Sequence, residues 1–184
     1  DLIKKENDYS ILSKLSRSLI AEYLQIAVKS ENLFLFILKV KNRIIGYSLY
    51  AKNEKNLIDD FEAIKFKIFI YLLFSFKILS LINIFLAITK LDLIFINKKN
   101  YNRSNSLNLN LLAINRNFQS KGLGNIFLTK TIKIIYNKAL KFNTISCEAP
   151  SIRAFNFYTK KKKFKFVGKK IRLTTNLYVL TKKI

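Results

Sequence analysis

The sequence predicts a single mixed α/β (α+β) domain spanning residues 1–184. Half of the residues are hydrophobic, and the chain is long enough to bury one substantial core. Continuous apolar runs that suit buried strands alternate with segments of helical periodicity. The resulting order is helix, β-hairpin, apolar insertion, strand, helix, strand, helix and two closing strands. This order is typical of helices packed against one sheet, and no internal repeat interrupts it.

The first elements are predicted to be a helix and a β-hairpin. Asn7 or Asp8 is expected to cap the first helix, in which apolar residues recur at helical spacing up to about Val28. Apolar runs at 33–40 and 44–50 then suit two strands, joined by a polar turn at 41–43. Gly46 lies inside the second run, where a glycine indicates a bulge or a close approach of another backbone.

An apolar insertion is predicted at about 53–103. Between residues 68 and 88 only Lys77 is charged, and this length is about that of a membrane span. The alternative is one or two buried or interfacial helices. Lys77 in the middle, with Lys65 and Lys67 at one end, favours helices that lie on a surface over a helix that crosses a bilayer.

The C-terminal part is predicted to alternate strands and helices. A strand, a helix, a second strand and a second helix are followed by two closing strands, at 107–117, 125–141, 144–149, 151–160, 164–168 and 172–180. The first helix shows an apolar stripe and a polar stripe on opposite sides, as an amphipathic helix requires.

The charge of the chain is strongly positive. It carries 34 basic and 11 acidic residues, a formal charge of +23, which suggests nucleic acid, an anionic membrane face or an anionic ligand as a partner. The excess lies in Lys, Ile, Asn and Phe rather than in Arg. An AT-rich coding sequence alone would give this bias, and we favour that explanation. After Asp92 the only acid is Glu148, so the C-terminal half would still attract a polyanion.

The composition excludes several kinds of catalytic site. There is no histidine, which removes Ser-His-Asp and Cys-His nucleophiles and imidazole-dependent zinc sites. Cys147 is the single cysteine, so no intramolecular disulfide or cysteine metal cluster is expected. We expect Cys147 to be a small buried apolar residue. The charged, polar N-terminus is unlike a secretory signal, so we expect a cytoplasmic location.

The most informative stretch is the glycine turn at 119–124. It holds two of the four glycines and lies between a predicted strand and a predicted helix. A turn of this kind exposes backbone N–H groups at a helix N-terminus, where the helix dipole favours negative charge. Glycine lets the backbone approach an anion without a Cβ in the way. The turn therefore predicts a phosphate-binding site.

Two motifs in this region resemble those of the GNAT (GCN5-related N-acetyltransferase) superfamily. Residues 119–124, Gln-Ser-Lys-Gly-Leu-Gly, fit the family pattern Gln/Arg-x-x-Gly-x-Gly/Ala in full. The later pattern Asn-x-x-Ala-x-x-Phe-Tyr-x-Lys-x-Gly-Phe is matched at Ala154, Phe157, Tyr158 and Lys160. Ser151 replaces its Asn. Its Gly-Phe end is replaced by Lys162-Lys163, with Phe164 one residue later, which indicates a one-residue insertion.

The resemblance implies the fold and the cofactor. It is strong over about residues 107–168 and implies a GNAT-like, mostly antiparallel central sheet flanked by helices, here with a helical insertion before the motif. The cofactor would be acetyl-CoA, the acetyl donor, and no metal would be needed. The cofactor-binding residues would be Leu112, Ala113, Ile114, Gln119, Ser120, Lys121, Gly122, Leu123, Gly124 and Asn125.

The resemblance also implies catalytic roles. Backbone amides of the turn would hold the pyrophosphate, and the preceding strand, parted from its neighbour, would pair with the pantetheine arm. Tyr158 would be the general acid toward the departing thiolate; the alternative is an ordinary half-buried aromatic. Glu148 is a candidate base by placement, against the alternative of a solvated or salt-bridged carboxylate. Asn108 and Asn110 stand where many members carry an acid, and they cannot act as bases.

Three functions remain open at this stage. The first is an acetyl-CoA-dependent N-acetyltransferase acting on a primary amine of a small molecule, for example an amino sugar or a nucleotide-linked sugar. The second is a non-catalytic acyl-CoA-binding module. The third is a basic protein that binds a membrane surface or nucleic acid; we do not favour nucleic acid as a partner. Peripheral membrane contact through the insertion and a homodimer are further expectations.

Overall fold

The computed structural model describes residues 2–6, 10–52, 60–75, 77–89, 95–96, 106–137, 142–170 and 176–183. Seven helices lie in these ranges: α1 Leu2–Glu6, α2 Ile11–Lys14, α3 Arg17–Lys29, α4 Glu62–Phe74, α5 Ile78–Ile88, α6 Leu123–Asn137 and α7 Ile152–Asn156. Seven strands accompany them: β1 Leu33–Val40, β2 Arg43–Ala51, β3 Phe95–Ile96, β4 Ser106–Ile114, β5 Thr144–Ala149, β6 Lys165–Lys170 and β7 Leu177–Lys183.

The strands form one mixed sheet in the order β1-β2-β4-β5-β7-β6-β3. Among the strand pairs of the described residues, only β4 and β5 run parallel, and the other pairs are antiparallel. The predicted mostly antiparallel sheet flanked by helices is therefore confirmed. That the domain extends over all of 1–184 stays a prediction.

The N-terminal region differs from the single helix predicted up to Val28. It forms three helices, of 5, 4 and 13 residues, and serine side chains cap the starts of the second and the third. Asn7 and Asp8, the expected caps, lie outside the described residues. The side-chain oxygen of Ser10 accepts from the N–H of Leu12, and that of Ser16 accepts from the N–H of Leu19, both at 3.2 Å. Leu15, between them, is extended and fully buried. Serine favours this N-cap role over the interior of a helix.

The predicted hairpin is confirmed, and its turn has a clear local cause. Val40 pairs with Arg43, so the loop has two residues. Both of them, Lys41 and Asn42, have positive φ, 44° and 62°, as a type I′ turn requires. Gly46 lies beside an irregularity in the β1–β2 register, and both features expected of it are present. A Cβ there would lie 2.6 Å from the Ile114 side chain.

A second irregularity lies in β4. Leu49 pairs with Leu111 but Tyr50 pairs with Leu109, so Asn110 is an extra residue in the ladder. Such a bulge changes which residues face each side of the sheet. Leu109 packs with the α6 layer, whereas Leu111 packs with the layer of the N-terminal helices. The bulge therefore lies where the strand leaves one core and joins the other.

The two faces of the sheet carry separate cores. On one face α6 packs through Leu128 and Ile135. On the other face lie α3 and the two helices of the insertion, where α4 packs through Ile64 and Leu72. Within the described residues, the insertion thus forms two helices and the short strand β3. Within the described ranges, none of the helices combines the length and the apolar character that a membrane crossing requires.

Candidate active site

A cleft opens where β4 and β5 part. These strands pair in parallel only from Ser106 with Thr144 to Leu109 with Cys147. Beyond that point β4 continues to Ile114 and β5 to Ala149. The cleft there has a volume of about 1020 Å³. It is large enough for a cofactor-sized ligand.

The glycine turn forms one side of this cleft. Ser120 and Gly122 have positive φ, 63° and 77°, and the chain then enters α6 at Leu123. A helix leaves the N–H groups of its first turn without intrahelical partners. The turn thus presents the N-terminus of a 15-residue helix to the cleft. This arrangement suits an anionic phosphate.

The two glycines of the motif differ in what they permit. Position 122 favours glycine because its φ is positive. Space is not the reason, since a Cβ there would meet nothing within 4 Å. A Cβ at Gly124 would make ordinary 3.8 Å contacts with Ile114 and Phe157. A Cβ at Gly124 would therefore be tolerated by the fold, and Gly124 lines the cleft.

Gln119, the first residue of the motif, acts through its side chain. Its backbone N–H donates to the Arg116 carbonyl at 3.1 Å, within the 3-10 turn Arg116–Phe118, and so is already used. Its side-chain Nε2 donates to the Ile114 carbonyl at 2.7 Å and to Glu6 Oε2 at 3.2 Å. Gln119 thus ties the turn to the end of β4 and to the first helix.

Glu6 is a buried carboxylate that sequence reasoning missed. Its Oε1 accepts from the Arg116 N–H at 3.1 Å, and its Oε2 lies 3.6 Å from Arg116 Nε. Glu6 also lines the cleft, with 7% of its side chain exposed. It lies 110 residues before Arg116, and no sequence spacing signals this contact.

Most of the predicted cofactor-binding residues meet at this cleft. It is lined by Leu112, Ile114, Gln119, Ser120, Gly122, Gly124 and Asn125. Ala113 does not line it, because its side chain lies in the core on the opposite face of the sheet. Lys121 and Leu123 are also absent from the lining, and the Lys121 ammonium lies 5.6 Å from the Phe118 ring.

Tyr158 lines the same cleft from the other side. It lies on a π-helical turn, Phe157–Lys161, that continues α7. A π turn accommodates one extra residue, and such turns are frequent at functional sites. This turn ends just before the one-residue insertion inferred from the family pattern at Lys162-Lys163, and that insertion stays a prediction. Tyr158 is 6% exposed and packs edge-on against Phe157 and Phe164.

Glu148 also lines the cleft, at the point where β5 has left β4. Its Oε1 lies 2.5 Å from the ammonium of Lys170 on β6, and its side chain is 37% exposed. The Lys170 side chain is 4% exposed. The salt-bridged state considered from the sequence is thus what the structure contains. Glu148 keeps one face toward the cleft while Lys170 holds it in place.

Asparagine side chains occupy β4 beside these groups. Ser146 Oγ donates to Asn108 Oδ1. Within the described residues, the side-chain nitrogens of Asn108 and Asn110 are buried without a hydrogen-bond partner. Neither residue lines the cleft, and neither is a base.

The remaining groups near the cleft are structural or basic. Cys147 is buried in the core under α6, as expected, and this burial raises the pKa of its thiol. Burial lowers the pKa of Lys162, and its ammonium donates to the Asn125 carbonyl at 2.9 Å, joining the π turn to α6.

The basic side chains that line the cleft are Arg116, Arg153, Lys160 and Lys161. Among the described residues no group of potential ligands suits a metal ion.

The fold is shared with solved acetyltransferases. An acetyltransferase from Thermus thermophilus matches with a TM-score of 0.56 at 12% identity, over 100% of this chain and 89% of that one. A GNAT-family acetyltransferase from Streptococcus pneumoniae gives 0.54 at 12%, over 92% and 77%. An acetyltransferase from Bacillus subtilis in complex with CoA gives 0.50 at 12%, over 92% and 84%.

These likenesses identify the class of fold. The mixed sheet with a parted parallel pair is that of the acetyltransferases, and more narrowly it is the GNAT fold. The resemblance inferred from the two sequence motifs is thereby confirmed at the level of the fold. No protein-family model matches the sequence, and no curated protein matches it.

Proposed function

We propose that this chain is an acetyl-CoA-dependent N-acetyltransferase that acts on a primary amine. The observation that carries the proposal is the cleft between the parted strands. It brings the glycine turn at 119–124, the free edge of β4 and Tyr158 to one place. These groups come from separate segments of the chain, and their meeting at one cleft supports a site for an acyl-CoA and its acceptor.

The residues at the cleft fit an acyl-CoA. The N-terminus of α6 and the basic side chains of Arg116, Lys160 and Lys161 suit its phosphates. The edge of β4 at Leu112 and Ile114 is unpaired with β5 and suits the amides of its pantetheine arm. Glu6 also lines the cleft near the glycine turn, and Arg116 lies beside its carboxylate. Acetyl-CoA, when bound, supplies the activated acetyl thioester.

Two side chains are assigned to proton transfer. Tyr158 would donate its phenolic proton to the sulfur that leaves as the new amide forms. Glu148 would accept the proton that the acceptor ammonium must lose, directly or through one water. Its ion pair with Lys170 fixes the carboxylate at the cleft. No protein nucleophile is required, which agrees with a chain that lacks histidine.

The acceptor is proposed only as a chemical class, whereas the donor is a named compound, acetyl-CoA. A small-molecule primary amine fits a cleft of this volume, and the CoA-bound relative from Bacillus subtilis supports the acyl-CoA half alone. The amino-sugar or nucleotide-linked-sugar acceptor, the homodimer and the cytoplasmic location stay predictions.

A non-catalytic acyl-CoA-binding module is the second candidate. The pairing of Glu148 with Lys170, together with asparagine at 108 and 110, favours it, because these features leave few free bases. Activity separates the two candidates, since both predict acetyl-CoA binding.

Release of CoA thiol in the presence of a panel of primary amines tests the proposal. We expect turnover in the wild type, and Tyr158→Phe should lower kcat about 100-fold or more, the usual size of a general-acid contribution. Acetyl-CoA affinity of this variant should stay within about threefold, because only the hydroxyl is removed. Tight acetyl-CoA binding without turnover on any amine would favour the binding module. Unchanged kcat in Tyr158→Phe would remove the acid role.

A further inference from the structure

Helices α4 and α5 carry an exposed apolar surface. Of the 17 large hydrophobic side chains that are exposed among the described residues, eight lie on these two helices. Isolated exposed apolar residues are ordinary, but a contiguous group of this size marks an interaction surface. We call it the insertion face.

On α4 the exposed residues form one stripe. Phe66, Phe69, Leu73 and Phe74 are spaced i, i+3, i+7 and i+8, which places them on one side of the helix. Phe66 and Phe74 are 69% and 76% exposed. The opposite side of α4 packs into the core through Ile64 and Leu72. The helix is therefore apolar on both sides, and only one side is covered by the protein.

Lysines border this stripe on both edges. Lys65 and Lys67 lie one residue before and after Phe66, about 100° to either side of it around the helix. Lys65 pairs with Glu62, and Lys67 pairs with Glu22 at 2.6 Å. Exposed pairs of this kind contribute little, so both ammonium groups can exchange their partners for other anions.

The second helix contacts α4 and carries an exposed apolar stripe of its own. Ile78, Leu79, Ile82 and Phe85 are exposed at spacings i, i+1, i+4 and i+7, again one side of a helix. The helix has no charged residue. Lys77 precedes it, and its ammonium donates to the Tyr71 hydroxyl at 3.2 Å. An apolar stripe on two consecutive helices with lysines at its edge is the pattern of a helix pair that lies in a membrane interface.

We propose that the insertion face binds the surface of an anionic lipid bilayer, with α4 and α5 lying along it. The helices have 13 and 11 residues, too short to cross. A second copy of the chain is the other obvious occupant, but it would bring two chains of formal charge +23 together. An anionic bilayer instead offers apolar depth for the phenylalanines and phosphates for the bordering lysines.

This placement leaves the cleft accessible. Helices α4 and α5 belong to the core on one face of the sheet, whereas α6, whose N-terminus forms the glycine turn, belongs to the core on the other. A bilayer on the insertion face would therefore leave the N-terminus of α6 uncovered. Vesicle binding and acetyl-CoA binding should be independent of each other.

Vesicle flotation tests the proposal. The probes are vesicles of phosphatidylcholine alone and of phosphatidylcholine with phosphatidylserine. The test variant is Phe66→Asp with Phe85→Asp, at side chains 69% and 60% exposed. The matched control is Val28→Asp with Tyr136→Asp, at side chains 69% and 57% exposed on α3 and α6. Each variant gains two negative charges at apolar positions of similar exposure, and thermal unfolding checks that both fold.

We expect the wild type and the control to bind the phosphatidylserine vesicles, and the test variant to lose more than about tenfold in affinity. Equal binding by the two variants would show attraction by charge alone and would overturn the proposal. So would absence of wild-type binding, or a wild-type dimer that the test variant dissociates. Acetyl-CoA affinity, measured on the same samples, reports separately on the proposed function.

Discussion

At the level of single residues, Gly46 lies where β2 approaches the backbone of β4 closely. It pairs with Leu38 on one side and with Ile114 on the other. A Cβ would lie 2.6 Å from the Ile114 Cδ1 and 2.9 Å from the Ala113 carbonyl oxygen. The Ile114 side chain can turn away, but the carbonyl belongs to the backbone of β4 and can yield only if the strand moves. Gly46 thus lets β2 approach the strand that borders the cleft.

We expect Gly46→Ala to lower the free energy of unfolding by about 1–3 kcal/mol, the usual effect of overpacking a core. Urea unfolding followed by circular dichroism measures this change. The control is Gly124→Ala, since a Cβ at Gly124 makes only ordinary contacts at 3.8 Å. Equal stability of Gly46→Ala and the wild type would contradict the close approach.

At the scale of secondary-structure elements, the segment that carries Tyr158 depends on one hydrogen bond at its start. Ser151 caps α7, and its side-chain oxygen accepts from the Ala154 N–H at 3.2 Å. The helix has only five residues before the π turn begins, so the cap hydrogen bond contributes a large share of its stability. Asparagine, which the GNAT pattern has at this position, is an equally good cap.

We therefore expect Ser151→Ala to lower the free energy of unfolding by about 1 kcal/mol and Ser151→Asn to leave it nearly unchanged. Because the cap positions the segment before Tyr158, Ser151→Ala should also lower kcat, whereas Ser151→Asn should retain it. Chemical denaturation and steady-state kinetics provide the two readouts. A loss of equal size in both variants would mean that the serine does something other than cap the helix.

The elements also show which parts of the site a sequence can predict. The glycine turn was predictable because it depends on local spacing over a short stretch of the chain. The π turn was not predicted, and it lies within the stretch 151–160 that was expected to be an ordinary helix. The bulge at Asn110 and the contact of Glu6 with Arg116 were not predictable, because each depends on a partner distant in the chain. The N-terminal helix was predicted too long because apolar periodicity continues through Ser16, and only the capping geometry shows the break.

At the scale of the whole molecule, each core buries a tyrosine hydroxyl. Tyr23 stacks on Phe61 at 3.9 Å in the core of the N-terminal helices, and burial raises its pKa. Tyr50 lies in the core under α6, hydrogen-bonds Thr131 at 2.5 Å, and burial raises its pKa from 10.0 to about 12. Both cores thus favour the neutral phenol over the phenolate.

Alkaline pH should therefore destabilise the fold. A pKa raised by folding contributes stability that is fully present below the unfolded value, near 10, and lost as pH rises through the folded value. Between pH 10 and pH 12, we expect the wild type to lose more unfolding free energy than Tyr50→Phe, because only the wild type carries the Tyr50 hydroxyl. The comparison cancels the titration of the lysines. A difference independent of pH would contradict the burial of this hydroxyl.

Calorimetry measures directly whether the cleft between β4 and β5 binds acetyl-CoA at the N-terminus of α6. Gly124→Glu places an acid in the first turn of α6, where the fold has room for a side chain. Ser18→Glu is the control, in the first turn of α3, which belongs to the core on the other face. We expect wild type and Ser18→Glu to bind acetyl-CoA alike, and Gly124→Glu to lose at least about tenfold in affinity through repulsion of the phosphates. Absence of wild-type binding, or binding by Gly124→Glu equal to wild type, would contradict the account.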